Sequence, residues 1–108
     1  QGHVHRVAMP PYDPTLLQES VTLARQIGFT LHRGTYLGTL GPTYETRAEY
    51  RAFRRMGADM VGMSTVLEML AASELGMKTL AFSVITNVAN PDRPTLTTHE
   101  EVLDVAKV

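Results

Sequence analysis

Gly28, Gly57 and Gly76 each close a segment with helical patterning, and each is followed within a few residues by a short apolar run. Glycine adopts the left-handed backbone that ends a helix without the cost of a Cβ. A chain punctuated this way alternates helix and strand. That alternation predicts an α/β fold with parallel strand pairing, because successive strands are joined through helices.

The helix starts carry matching signals. Asp13-Pro14 supplies an N-cap and a proline at the first helical position, ahead of the apolar stripe Leu16, Leu17, Val21, Leu23, Ala24 and Ile27. Thr46-Arg47-Ala48-Glu49, Thr65-Val66-Leu67-Glu68 and Thr98-His99-Glu100-Glu101 all have capping-box spacing. Strands are expected within residues 31–40, around Met60-Val61-Met63, and over Thr79 to Thr86, where β-branched residues dominate. Pro10-Pro11 makes residues 1–12 a loop, leaving 13–108 as the α/β part. The order is helix, strand, helix, strand, helix, strand, helix, with no internal repeat.

Composition excludes several functions. The 108 residues suit one domain, and 44% apolar content with 19% charge can bury a core. A net charge of −1 with scattered Lys and Arg gives no footprint for nucleic acid. Arg47, Arg51, Arg54 and Arg55 read as the solvated face of a helix, with anion binding as the alternative. There is no cysteine, hence no disulfide framework, thiolate metal site or thiol nucleophile, which fits a reducing cytoplasm. No apolar run approaches the roughly 20 residues of a membrane span. The opening Gln1-Gly2-His3-Val4-His5-Arg6 has neither an initiator Met nor the apolar stretch of a signal peptide, so the chain is expected to begin mid-protein or after processing. His3 and His5 lack a carboxylate or cysteine companion for a metal.

Three strings place polar side chains just past apolar runs: Gly41-Pro42-Thr43-Tyr44-Glu45-Thr46, Val61-Gly62-Met63-Ser64-Thr65 and Val84-Ile85-Thr86-Asn87. Open α/β sheets bind ligands outside the carboxyl ends of their strands. Each residue has two readings. Ser64 precedes a helix start, where free N–H groups and the dipole favour an anion, or it is a simple cap. Glu45 is an acceptor for ligand N–H groups, or a charge that favours a helix start. Asn87 bridges a ligand donor and acceptor, or shapes a turn. Tyr36 and Tyr44 offer a stacking face and a hydroxyl, or pack with the hydroxyl satisfied. His99 is a capping histidine or touches the ligand. The methionines read as packing.

Taken together, these strings, with Gly57-Ala58-Asp59-Met60 before the second and His99-Glu100-Glu101-Val102-Leu103 after the third, resemble the trimeric purine nucleoside phosphorylases in order and spacing. The similarity runs from about Tyr12 to the chain end. The resemblance implies a nucleoside phosphorylase-like mixed, largely parallel sheet flanked by helices. It also implies phosphorolysis of purine nucleosides to free base and ribose 1-phosphate, with inorganic phosphate as co-substrate, no metal or redox cofactor, and a homotrimer at full length. Carried over by motif, Glu45 would accept from purine N1–H, and Asn87 would contact N7 and O6 as catalytic partner to the leaving base. Tyr44 and Val61 would line the base, Tyr36, Met63 and His99 would hold the ribose, and Ser64 would bind phosphate. Methylthioadenosine phosphorylases of the same superfamily carry aspartate where Asn87 stands, so the resemblance points to the inosine and guanosine type.

The chain also departs from the pattern. The family's phosphate loop, phosphate-binding arginine and a histidine near the phosphate precede the region of similarity, and residues 1–40 hold no candidates for them. The stretch Arg6 to Tyr12 is about two residues shorter than the family's loop, Leu67 replaces a usual proline, and the last helix looks truncated. The expectation is therefore the base-binding C-terminal part of such an enzyme, an incomplete α/β fold with little or no activity alone. The alternatives are a non-catalytic purine- or nucleoside-binding module, a subunit-packing unit, and a methylthioadenosine phosphorylase-like enzyme.

Overall fold

A computed structural model describes residues 12–90. Three helices and two strands alternate: α1 (Pro14–Gln26), β1 (Tyr36–Gly38), α2 (Arg47–Arg55), β2 (Met60–Gly62) and α3 (Val66–Glu74). They fall into two compact units. One comprises residues 12–33 and 65–81, with α1 and α3; the other comprises 34–64 and 82–90, with the strands and α2.

The local signals act as their chemistry predicts. The Asp13 carboxylate accepts from the Leu16 N–H at 2.9 Å, and Pro14 opens α1. At α2 the capping box closes in both directions: Glu49 N–H donates to the Thr46 hydroxyl at 3.2 Å, and Thr46 N–H donates to the Glu49 carboxylate at 3.2 Å. Gly28, Gly57 and Gly76 take positive φ of 75°, 92° and 71° just beyond the helices they end.

In the second unit, β1 and β2 pair in parallel, Tyr36 with Met60, Leu37 with Val61 and Gly38 with Gly62. The ladder is extended at both ends. Thr39 N–H donates to Gly62 C=O at 2.8 Å. At the other end Asp59 and Thr35 are locked together: Asp59 N–H reaches Thr35 C=O at 2.9 Å, and the Asp59 carboxylate accepts from Thr35 N–H at 2.8 Å. With α2 between the strands this is a βαβ unit, the arrangement parallel pairing requires.

Two expectations are corrected. Thr65 is the N-cap of α3 but builds no capping box with Glu68: its hydroxyl makes no cap hydrogen bond, and its backbone sits at φ 76°, ψ −49°. The N-cap backbone is ordinarily extended, and with Thr65 outside that region its hydroxyl caps no N–H of the first turn, so capping-box spacing alone is not enough. A β-branched residue at positive φ is strained by roughly 1–3 kcal/mol. Second, residues 79–86 form no strand, and the described sheet has two strands only. β-Branched composition favours extended backbone, but a strand also needs a hydrogen-bonded neighbour, and among the described residues this segment joins neither β1 nor β2. The expected helix after Thr98 lies outside the described residues.

Burial is sparse. Among the described residues only Ala24 and Met69 are buried, while Ile27, Leu67, Leu75, Val84 and Val88 are exposed and Leu40 is 98% exposed. No helix among the described residues is long and apolar enough to cross a membrane.

The two threonine caps make opposite predictions for equilibrium urea unfolding. Thr46→Ala should lower stability by about 0.5–2 kcal/mol through loss of the box. Thr65→Gly should leave stability unchanged or raise it, because relief of the strained φ offsets the added freedom of the unfolded chain.

Candidate functional site

Because β1 and β2 are parallel, their carboxyl ends lie at the same edge of the sheet, and the segments leaving them carry four of the predicted residues, Tyr44, Glu45, Met63 and Ser64. Tyr36 lies in β1 and Val61 in β2, opposite Leu37. Met63 and Ser64 follow β2 directly, and Tyr44 and Glu45 precede α2. Asn87 falls in the irregular stretch after residue 82, within the same compact unit. His99 lies outside the described residues.

Tyr36 and Ser64 are brought together. The Ser64 backbone N–H donates to the Tyr36 phenol oxygen at 3.4 Å. Tyr36 reaches that far because residue 62 is glycine. Tyr36 faces Met60 in register, so Gly62 is its diagonal neighbour on the same face. A Cβ at residue 62 would collide with the Tyr36 hydroxyl and lie 2.9 Å from its Cζ. Gly62 is thus the space into which the phenol lies, and the Tyr36 O–H remains able to donate onward. On the neighbouring loop, Gly41 (φ 62°) lets Met63 approach: a Cβ there would sit 2.6 Å from the Met63 sulfur. Met63 and Tyr44 are themselves 41% and 43% exposed, available to a ligand.

Glu45 is half-buried and held by hydroxyls. The Thr39 hydroxyl donates to Glu45 Oε1 at 3.0 Å, and the Tyr50 phenol hydrogen-bonds the same carboxylate. Burial, then the charge of Glu45 and its hydrogen bond, with Glu49 behind them, raise the Tyr50 phenol above its ordinary value. The neutral phenol is therefore the partner Glu45 meets at neutral pH.

Asn87 is oriented by its neighbour: the Thr86 hydroxyl donates to Asn87 Oδ1 at 2.8 Å. With the oxygen engaged, the carboxamide NH₂ is the part left to meet a ligand acceptor. Asn87 makes no hydrogen bond to Glu45. Among the described residues, no three His, Cys, Asp or Glu side chains cluster as metal ligands would.

Thr39, Tyr50, Gly62 and Thr86 are contributors that sequence reading passed over. Thr86 and Gly62 stand inside the quoted strings, so their positions beside Asn87 and Ser64 were a usable signal. Thr39 and Tyr50, six and five residues from Glu45, offered none without the turn geometry.

The Glu45 carboxylate and the Tyr36–Ser64 contact lie at the carboxyl-end side of the two strands, and the Asn87 carboxamide lies in an irregular stretch of the same unit. The chain matches the Phosphorylase superfamily over residues 1–108 and belongs to it. It is 43% identical over 96 residues to a probable 6-oxopurine nucleoside phosphorylase of Thermococcus kodakarensis, covering 88% of this chain and 36% of the relative. It is 42% identical over 100 residues to the purine nucleoside phosphorylase of Mus musculus, covering 89% and 35%. Among solved structures, a schistosome purine nucleoside phosphorylase in complex with hypoxanthine superposes with a TM-score of 0.83 at 37% identity, over 88% of this chain and 35% of that one. Isoform 2 from Schistosoma mansoni, in complex with cytosine and ribose-1-phosphate, gives 0.85 at 38% identity, over 90% and 35%. The chain thus spans about a third of the length of these relatives.

The Tyr50 environment predicts a pH effect. Its folded pKa is raised, so its contribution to stability is complete below the ordinary value of 10.0 and fades as pH rises through the folded value. Ultraviolet titration should show one late-ionising tyrosine that Tyr50→Phe removes, and the same substitution should flatten the loss of stability above pH 10.0.

Proposed function

We propose that this chain forms the base-binding part of a purine nucleoside phosphorylase of the 6-oxopurine type. The observation that carries the reading is the Glu45 carboxylate, fixed by Thr39 just beyond paired parallel strands, in a chain whose relatives are named for 6-oxopurine nucleosides. A 6-oxopurine presents N1–H to a carboxylate. Adenine presents a lone pair at N1, and a site built on such a bond rejects the wrong edge by roughly 10⁴ or more.

The reaction is cleavage of the N-glycosidic bond, with phosphate oxygen bonding to C1′ as the base leaves with the bonding pair. Positive charge develops on the ribose and negative charge on the purine. In this reading the Asn87 NH₂ donates to N7, a bond that strengthens as the base gains charge, which lowers the barrier rather than merely tightening binding. The engaged Asn87 oxygen supports that role, because it leaves the donor face free. Glu45 holds N1–H, while Tyr44 and Val61 pack on the base. Tyr36, Met63 and His99 hold the ribose, and Ser64 contributes one phosphate contact. Phosphate is the co-substrate, and no metal or redox group enters. The family resemblance further implies a cytoplasmic homotrimer for a polypeptide of the relatives' length.

Calorimetry on the 108-residue chain should show binding of hypoxanthine and guanine in preference to adenine. Glu45→Ala should weaken hypoxanthine by about 10–100-fold, the range of a hydrogen bond to a charged group. Phosphorolysis should require the relatives' N-terminal portion to be added; robust turnover by this chain alone would refute its assignment as the base-binding part. In the complemented enzyme Asn87→Asp should shift the inosine-to-adenosine rate ratio toward adenosine, and an unchanged ratio would sink the role given to Asn87.

A further inference from the structure

We propose that Thr39 is a positioning residue for base recognition: its hydroxyl fixes the Glu45 carboxylate against the end of β2. The inference rests on the assignment of Glu45 to the base. Thr39 lies one residue past β1 and has two donor groups near the last carbonyl of β2. Its backbone N–H donates to Gly62 C=O at 2.8 Å, continuing the ladder, and its hydroxyl lies 3.3 Å from the same carbonyl. The hydroxyl has a single proton. The Gly62 carbonyl already holds the Thr39 N–H, whereas Glu45 Oε1 is nearer, at 3.0 Å, and charged. Charge-assisted bonds are about twice as strong as neutral ones, so the proton goes to Glu45.

The consequence is mechanical. Glu45 sits in a loop, between Gly41-Pro42 and the first turn of α2. A loop carboxylate with a rotatable side chain loses entropy on meeting a ligand. The Thr39 hydroxyl removes that freedom in advance and ties the carboxylate to the sheet that carries Tyr36 and Gly62. The Tyr50 phenol meets the same carboxylate from α2, so Glu45 is held from a strand end and from a helix. The carboxylate has about four lone-pair positions, so these two bonds leave acceptors for a base.

Thr39→Val keeps the shape and the backbone ladder but deletes the hydroxyl; Thr39→Ser keeps the hydroxyl. Calorimetry with hypoxanthine should show affinity falling about tenfold in Thr39→Val, the lower end for a bond to a charged group, and returning to within about twofold of the unmutated chain in Thr39→Ser. In a Glu45→Ala background, Thr39→Val should have no further effect. Equal losses in both Thr39 variants, or an undiminished loss without Glu45, would overturn the proposal. The unmutated chain is the control on Glu45 itself: if it binds no hypoxanthine, the assignment to base recognition fails. The positioning role is then decided by nuclear magnetic resonance of the Glu45 carboxylate carbon. Its shift and side-chain averaging should change in Thr39→Val and not in Thr39→Ser; an unmoved signal in Thr39→Val overturns the role.

Discussion

The in-register pairing of β1 with β2 is the constraint on which the rest of the site depends. Only three residue pairs make the ladder, yet it is locked at one end by Asp59 against Thr35 and prolonged at the other by Thr39 against Gly62. A shift of one residue would turn Tyr36 to the opposite face and move it off Gly62. The Ser64 N–H would lose its phenol partner, and Thr39 would no longer bridge Gly62 and Glu45. Register in this small sheet is therefore the same thing as site geometry.

Polar contacts carry more of that geometry than packing does. Among the described residues the unit holding the strands contains none of the buried ones; both Ala24 and Met69 belong to the unit with α1 and α3. Glu45 is steadied by Thr39 and Tyr50, Asn87 by Thr86, and Tyr36 by Ser64. Short side chains on adjacent backbone can hold a functional group because they have few rotamers to lose.

What could be read from the sequence was what residues decide among near neighbours. Asp13, Thr46 and the glycines at 28, 57 and 76 act within one turn of themselves, and their roles were plain. The parallel pairing followed from element order. Thr65 was misread because its backbone answers to the junction between β2 and α3 rather than to the residues downstream of it. Residues 79–86 were misread because strand formation depends on a partner that composition cannot name. The resemblance placed Glu45 and Asn87 in a site, but the hydroxyls that orient them come from turn geometry that spacing does not reveal.

The two compact units are each assembled from non-adjacent stretches of chain, and the backbone passes from one to the other at residues 33–34, 64–65 and 81–82. Neither unit is a contiguous cassette. The unit that carries the strands cannot be cut out, grafted or inherited as one continuous exon-like piece without taking α3 along with it. The middle passage is the peptide joining Ser64 to Thr65, so the chain leaves one unit for the other at the single non-glycine residue with positive φ among the described residues.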